Sequence, residues 1–166
     1  MRIEAQHAIP APAAAYWSLM EDPAFLAAAD AGSSIVREVL RNEPGAGRGG
    51  RRLLHVRWTS QRELPGVLRK VLGAERLSYE LVQHLDDAAF HLWWEVIPPV
   101  SRDRCQGGGA FWLEPTATGC WRRVEGGVTV SLPLVGGQIE KLLAGEIAKG
   151  HARNAEMAIR WLTKRG

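Results

Sequence analysis

With 166 residues, 46% of them hydrophobic and 23% charged, the chain has the length and composition of a single globular domain over residues 1–166, large enough to bury a core. Its 21 basic and 18 acidic residues leave a net charge of +3, too even a balance to point to nucleic acid or anionic lipid, and no stretch reaches the roughly 18 consecutive apolar residues of a membrane helix. Cys105 and Cys120 stand apart with no CxxC or metal-ligand spacing and read as free thiols; with Glu4 and His7 interrupting any apolar leader, the expectation is a cytoplasmic protein.

From Arg2 to Ile9 the chain alternates. Ile3, Ala5, His7 and Ile9 fall on one face and Arg2, Glu4 and Gln6 on the other, the pattern of a half-buried strand. Pro10 and Pro12 end it, and a proline tolerated in a first turn opens a helix over Ala13 to Met20. Asp22 followed by Pro23 is an N-cap with proline at N1, so a second short helix is expected from Pro23 to Ala31, closed by Gly32 and Ser33. A second strand begins at Ile35 and ends near Asn42; a third covers Arg51 to Ser60, with Leu54, Val56 and Trp58 on one face. Between them Gly45 to Gly50 matches GxGxxG literally. That motif requires a strand before it and a helix after it, and with a strand on both sides it reads as a hairpin loop.

Leu64 to Gly73 reads as a loop with a helical turn, set as a flap over one end of a sheet. Four more strands follow: one carrying Leu77, Tyr79 and Leu81; one carrying Phe90, Leu92, Trp94 and Val96; one from Gly107 to Glu114 with Trp112; and one from Gly119 to Leu132, with a bulge expected at Gly126–Gly127. Short turns between them argue for an antiparallel meander. The chain closes with an amphipathic segment from Gln138 to Lys164, where Ile139, Leu142, Leu143, Ile147, His151, Ala155, Ala158, Ile159 and Leu162 form one apolar stripe. A helix of that length runs about 40 Å and needs an extended apolar surface to lie on. Trp161, near its end, is expected to pack on the sheet.

The order is α+β: one strand, two short helices, a six-stranded antiparallel meander and a long C-terminal helix, with a cavity between sheet and helix. The stretch Ala11-Pro12-Ala13-Ala14-Ala15-Tyr16-Trp17 leading to Asp22-Pro23 resembles the opening of the START-like (SRPBCC, helix-grip) superfamily. The end, from Val130-Ser131-Leu132-Pro133 through Gly136-Gly137 to Leu142, is similar to one bacterial family of unknown function within it. The resemblance spans essentially the whole chain and implies a pocket for a hydrophobic ligand, in some members with a cyclisation or hydrolysis step. Fold does not fix function.

No GxSxG, HExxH or P-loop is present, so no catalytic residue, metal or cofactor is expected. His151 is the most informative histidine, because it lies on the apolar stripe and needs a partner when buried. Arg57, Glu95, Arg123 and Glu125 read as an outward ladder of cross-strand charges, and His55 falls on the face of Leu53 and Arg57, which is open to either solvent or a cavity. The expected ligand-binding set is Trp58, Tyr79, Trp94, Trp112 and His151, aromatic walls with one polar group. The expected partner is a small hydrophobic molecule of lipid, polyketide or isoprenoid type, with no nucleic acid and no stable membrane insertion, the protein acting as a monomer or homodimer. Two alternatives stand beside it: an enzyme of the polyketide cyclase/aromatase kind, using His151 with a strand carboxylate or Tyr79, and a protein- or membrane-interaction module acting through Leu64 to Leu72.

Overall fold

Period-two alternation and strong turn chemistry produce seven strands, and the computed structural model describes residues 1–165. The elements are β1 (Arg2–Ile9), α1 (Ala13–Ser18), α2 (Pro23–Ala31), β2 (Ile35–Glu43), β3 (Arg52–Glu63), α3 (Gly66–Leu72), β4 (Arg76–Asp86), β5 (His91–Ile97), β6 (Cys105–Pro115), β7 (Cys120–Val130) and α4 (Gly136–Lys164). A 3-10 turn, Leu19–Glu21, continues α1. Asp22 caps α2 as expected, its carboxylate accepting from the Ala24 and Phe25 amides at 2.9 and 3.3 Å. The flap is a true helix, α3, stopped by Gly73 in the left-handed conformation (φ 63°), where a Cβ would be strained.

The strands form one antiparallel sheet in the order β1-β7-β6-β5-β4-β3-β2. β2 to β7 are a meander, and β1 joins its far edge beside β7. The chain therefore crosses from one sheet edge to the other between β1 and β2, and α1 and α2 make that crossing. Helix α4 then packs against β7 and β1. Ile139, Leu143, Ile147 and Ala158 on its stripe share one buried core with Ile3, Ile9, Val124 and Val128 of the sheet, and Ala155 is buried as well. At 29 residues it is about 44 Å long, and no helix among the described residues is long and apolar enough to cross a membrane.

One expectation about detail is corrected. The register of β7 runs unbroken through Gly126 and Gly127 against both β1 and β6, so there is no bulge there. The glycines serve a different purpose: a Cβ on Gly126 or on Gly109, its partner in β6, would sit 2.5 Å from Cζ2 of Trp94. Two strands have given up side chains to seat one indole. The register shifts lie instead in β2, between Val39 and Arg41, and toward the end of β3. Trp161 packs against the buried core and meets Phe25 of α2 edge-on at 5.7 Å.

Candidate functional site

The concave face of the sheet is assembled by register. Trp58 of β3 stands opposite Tyr79 of β4, and Leu81 pairs with both Val56 and Val96. Alternation then turns Val56, Trp58, Tyr79, Leu81, Trp94 and Val96 to the side that α4 covers. Because α4 hugs β1 and β7, the large rings of β3 to β5 lie where the separation from the helix grows. Trp94 is only 2% exposed and Tyr79 6%, whereas Trp58 is half-buried. Burial pushes the Tyr79 hydroxyl pKa up, with a smaller push from the Glu146 carboxylate on α4. Among the described residues, the indole Nε1 groups of Trp58 and Trp94 are shielded from solvent and have no acceptor.

A second set of residues meets on the β1–β7 side of the same face. Arg122 of β7 is 1% exposed, a fully buried guanidinium. Its register partner on β1 is His7, and His151 comes down on it from α4. The Arg122 Nη2 group donates to Nδ1 of His151 at 2.9 Å, which leaves the imidazole neutral with its proton on Nε2. Burial, the Arg122 charge and His7, in that order, lower the His151 pKa to about 3. The His7 pKa is lowered too, by burial and then Arg122, with Glu156 opposing. Phe111 lies 4.6 Å and Tyr16 5.9 Å from the Arg122 Cζ, so the cation rests against two aromatic faces. Arg122 Nε and Nη1 have no hydrogen-bond partner among the described residues. An arginine keeps its charge at any physiological pH, and a buried charge without a counter-ion is costly.

Of the five residues expected to line one site, four share the concave face. Tyr79 and Trp58 are register partners, while Trp94 and His151 face one another with ring centroids 6.1 Å apart. Trp112 does not join them. Its strand neighbours Phe111 and Leu113 are the buried, inward residues, so alternation sends Trp112 to the opposite face. There it stacks on His91 at 5.6 Å and donates from Nε1 to Glu114 at 2.9 Å. His91 stacks in turn on Trp93 at 4.0 Å, with Arg51 over that ring. The charge ladder also lies on this outer face, with Arg57 and His55 both on Glu80, Arg48 on Glu95 and Arg123 on Glu114.

Sequence reading passed over Arg122, although a signal was present. Cys120, Arg122, Val124, Val128 and Val130 are in one phase of β7 with Gly126, and apart from that glycine every other member of the phase is a buried apolar residue. An arginine in the buried phase is itself the anomaly. His7, in phase with Ile3 and Ile9, carries the same signal on β1.

Two open concavities lie elsewhere on the described residues. One, of about 370 Å³, is bounded by the glycine-rich loop and the β4–β5 turn, with Arg51, Arg52, Asp86 and Asp87 on its wall. The other, about 650 Å³, lies beside α3. His151, with its pKa so far down, is a weak proton acceptor at neutral pH, and its partner is a cation rather than a strand carboxylate.

This topology, one long helix gripped by a seven-stranded antiparallel sheet, is the START-like helix-grip fold. The chain belongs to the family described as "Protein of unknown function (DUF2505)", which it matches over residues 4–162. Among solved structures it is similar to a protein from Thermus thermophilus (14% identity, TM-score 0.68, covering 100% of this chain and 99% of that one). It is also similar to the Zhui aromatase/cyclase from a Streptomyces species (15%, 0.64, covering 99% and 94%) and to a START superfamily protein from Mycobacterium smegmatis (15%, 0.56, covering 97% and 98%). At these identities the likeness is one of fold. No curated protein sequence matches the chain.

Proposed function

We propose that this protein binds a small hydrophobic molecule, of lipid, polyketide or isoprenoid type, between the concave face of the sheet and α4. One observation carries this reading: the shielded donors on that face, Trp58 Nε1, Trp94 Nε1 and two nitrogens of Arg122, have no acceptor among the described residues. Buried donors are nearly always satisfied in folded proteins, and an orphaned one costs about 1–3 kcal/mol. Three residues with this defect on one apolar face are what an acceptor-bearing ligand would correct. The half-buried Trp58 and Leu54 at the wider side of the grip are the side chains such a ligand would displace. Apolar ligand surface buried there contributes about 25 cal/mol per Å² before the costs of binding. On this reading Trp58, Tyr79, Trp94 and His151 line the site, Trp112 does not, and the protein is a cytoplasmic monomer or homodimer. Trp112 serves the outer ladder instead.

The test is native mass spectrometry of the purified protein, followed by organic extraction. A co-purifying apolar species released on denaturation is the expected result, and the same spectrum reads the oligomeric state. A chain that is clean as isolated, and whose Trp fluorescence does not respond to acyl-chain or fused-ring probes, would overturn the proposal.

A further inference from the structure

We infer that the ligand carries a carboxylate and that Arg122 is the group that seats it; this rests on the ligand-binding reading above. The argument begins with charge. Arg122 is buried to 1% exposure, and among the described residues no carboxylate pairs with it. On the outer face Arg57 meets Glu80 and Arg123 meets Glu114, and the largely buried Arg37 and Arg52 are paired too, with Asp30 and with Glu21 and Asp87. The inner arginine has neutral surroundings: His151 Nδ1 as acceptor, two aromatic faces and the Tyr16 hydroxyl close by.

The surroundings also select the kind of anion. Tyr16, Phe111 and Trp94 make the neighbourhood apolar, so the ligand body beside the charged group is hydrophobic. One fixed positive charge, flanked by neutral imidazoles, balances one negative charge. A phosphate, with up to two charges and three strong acceptor oxygens, would need further cations, whereas a carboxylate matches a single guanidinium. His7, on the neighbouring strand with a shielded Nδ1 that has no partner among the described residues, is placed to serve the second oxygen. His151 acts as a positioning residue, since its one bond holds the guanidinium plane from above.

The experiment uses two fluorescent probe pairs, each an acid and its methyl ester: cis-parinaric acid for acyl chains and pyrenebutyric acid for fused rings. Each is titrated into the full chain at neutral pH and fixed salt. The expected result is that at least one acid binds about tenfold or more tighter than its ester. In Arg122→Met that preference should vanish, the acid losing far more affinity than the ester; Arg122→Lys should keep part of it. The wild-type acid-to-ester ratio requires no variant, so misfolding of a variant does not block the test. Equal affinity for acid and ester in both pairs overturns the carboxylate inference and leaves ligand binding standing. Failure of all four probes to bind overturns both.

Discussion

Arg122 Nη2 donates to His151 Nδ1 at 2.9 Å, joining strand β7 to helix α4 through a buried charge and a neutral ring. The bond has a consequence for stability against pH. In the folded chain His151 resists protonation down to about pH 3, whereas an unfolded histidine takes up its proton near pH 6.5. The unfolded state then binds more protons, so stability falls as pH drops from about 6.5 toward 3. Between pH 7 and pH 5 the loss from this residue should be about 1–2 kcal/mol. His151→Gln, whose amide oxygen still accepts from Arg122, should lose correspondingly less over that interval. Urea unfolding at the two pH values measures the difference; parallel losses would show that His151 is not the group responsible.

Arg122 should cost the fold stability. Replacing a buried, unmatched charge with an apolar residue of similar length is commonly neutral or stabilising. Arg122→Met is expected to raise unfolding free energy by roughly 1–3 kcal/mol, read from the denaturant midpoint at neutral pH. A drop of similar size would mean that the contacts with Phe111, Tyr16 and His151 repay the charge in full, and that Arg122 is a structural element.

Gly126→Ala should be among the most damaging single-methyl additions. Its Cβ would lie 2.5 Å from Trp94 Cζ2 and 2.7 Å from the Gly108 carbonyl oxygen. Backbone on one side and a core indole on the other leave no cheap relief, so a loss of about 1–3 kcal/mol is expected. Gly137→Ala, with nothing within 4 Å of the added atom, is the control and should be neutral or slightly stabilising through helix propensity. Thermal unfolding of both variants decides it.

Trp58→Phe removes one orphaned donor and keeps an aromatic ring on the concave face. If that N–H serves a ligand acceptor, affinity for pyrenebutyric acid methyl ester should fall about threefold to tenfold, the worth of one hydrogen bond, while stability is unchanged or slightly higher. The same substitution at Trp112, on the outer face, should leave affinity unaltered. Fluorescence titration of the two variants side by side would sink the assignment of faces if Trp112→Phe proved the weaker binder.

Legibility varied along the chain for identifiable reasons. The α2 boundaries were readable to the residue, because Asp22-Pro23 and Gly32 are local signals that need no partner. The stripe on α4 was readable because period 3.6 survives along its whole length. Strand faces were readable wherever the phase was anchored by several apolar residues, as at Leu54, Val56 and Trp58. Trp112 was misplaced because an aromatic residue is welcome on either face of a sheet. Its phase relative to Trp94 depends on how β5 and β6 are paired, and that is a property of the register. Arg122 was overlooked because a charged residue between charged neighbours, Arg123 and Glu125, reads as surface until the strand is fixed.

What the residues alone determined is the fold: the order of elements, the caps and breakers, and the one-sided helix are set by local propensity and period. These act between residues close in the chain. What only the tertiary structure decided is which side chains share the concave face. His7, Arg122 and His151 come from the first strand, the last strand and the last helix, and nothing local links them. Their meeting depends on β1 joining β7 and on α4 crossing both. The buried charge left unmatched there is created by packing, because exposure to water and distance to a counter-ion exist only in the folded chain.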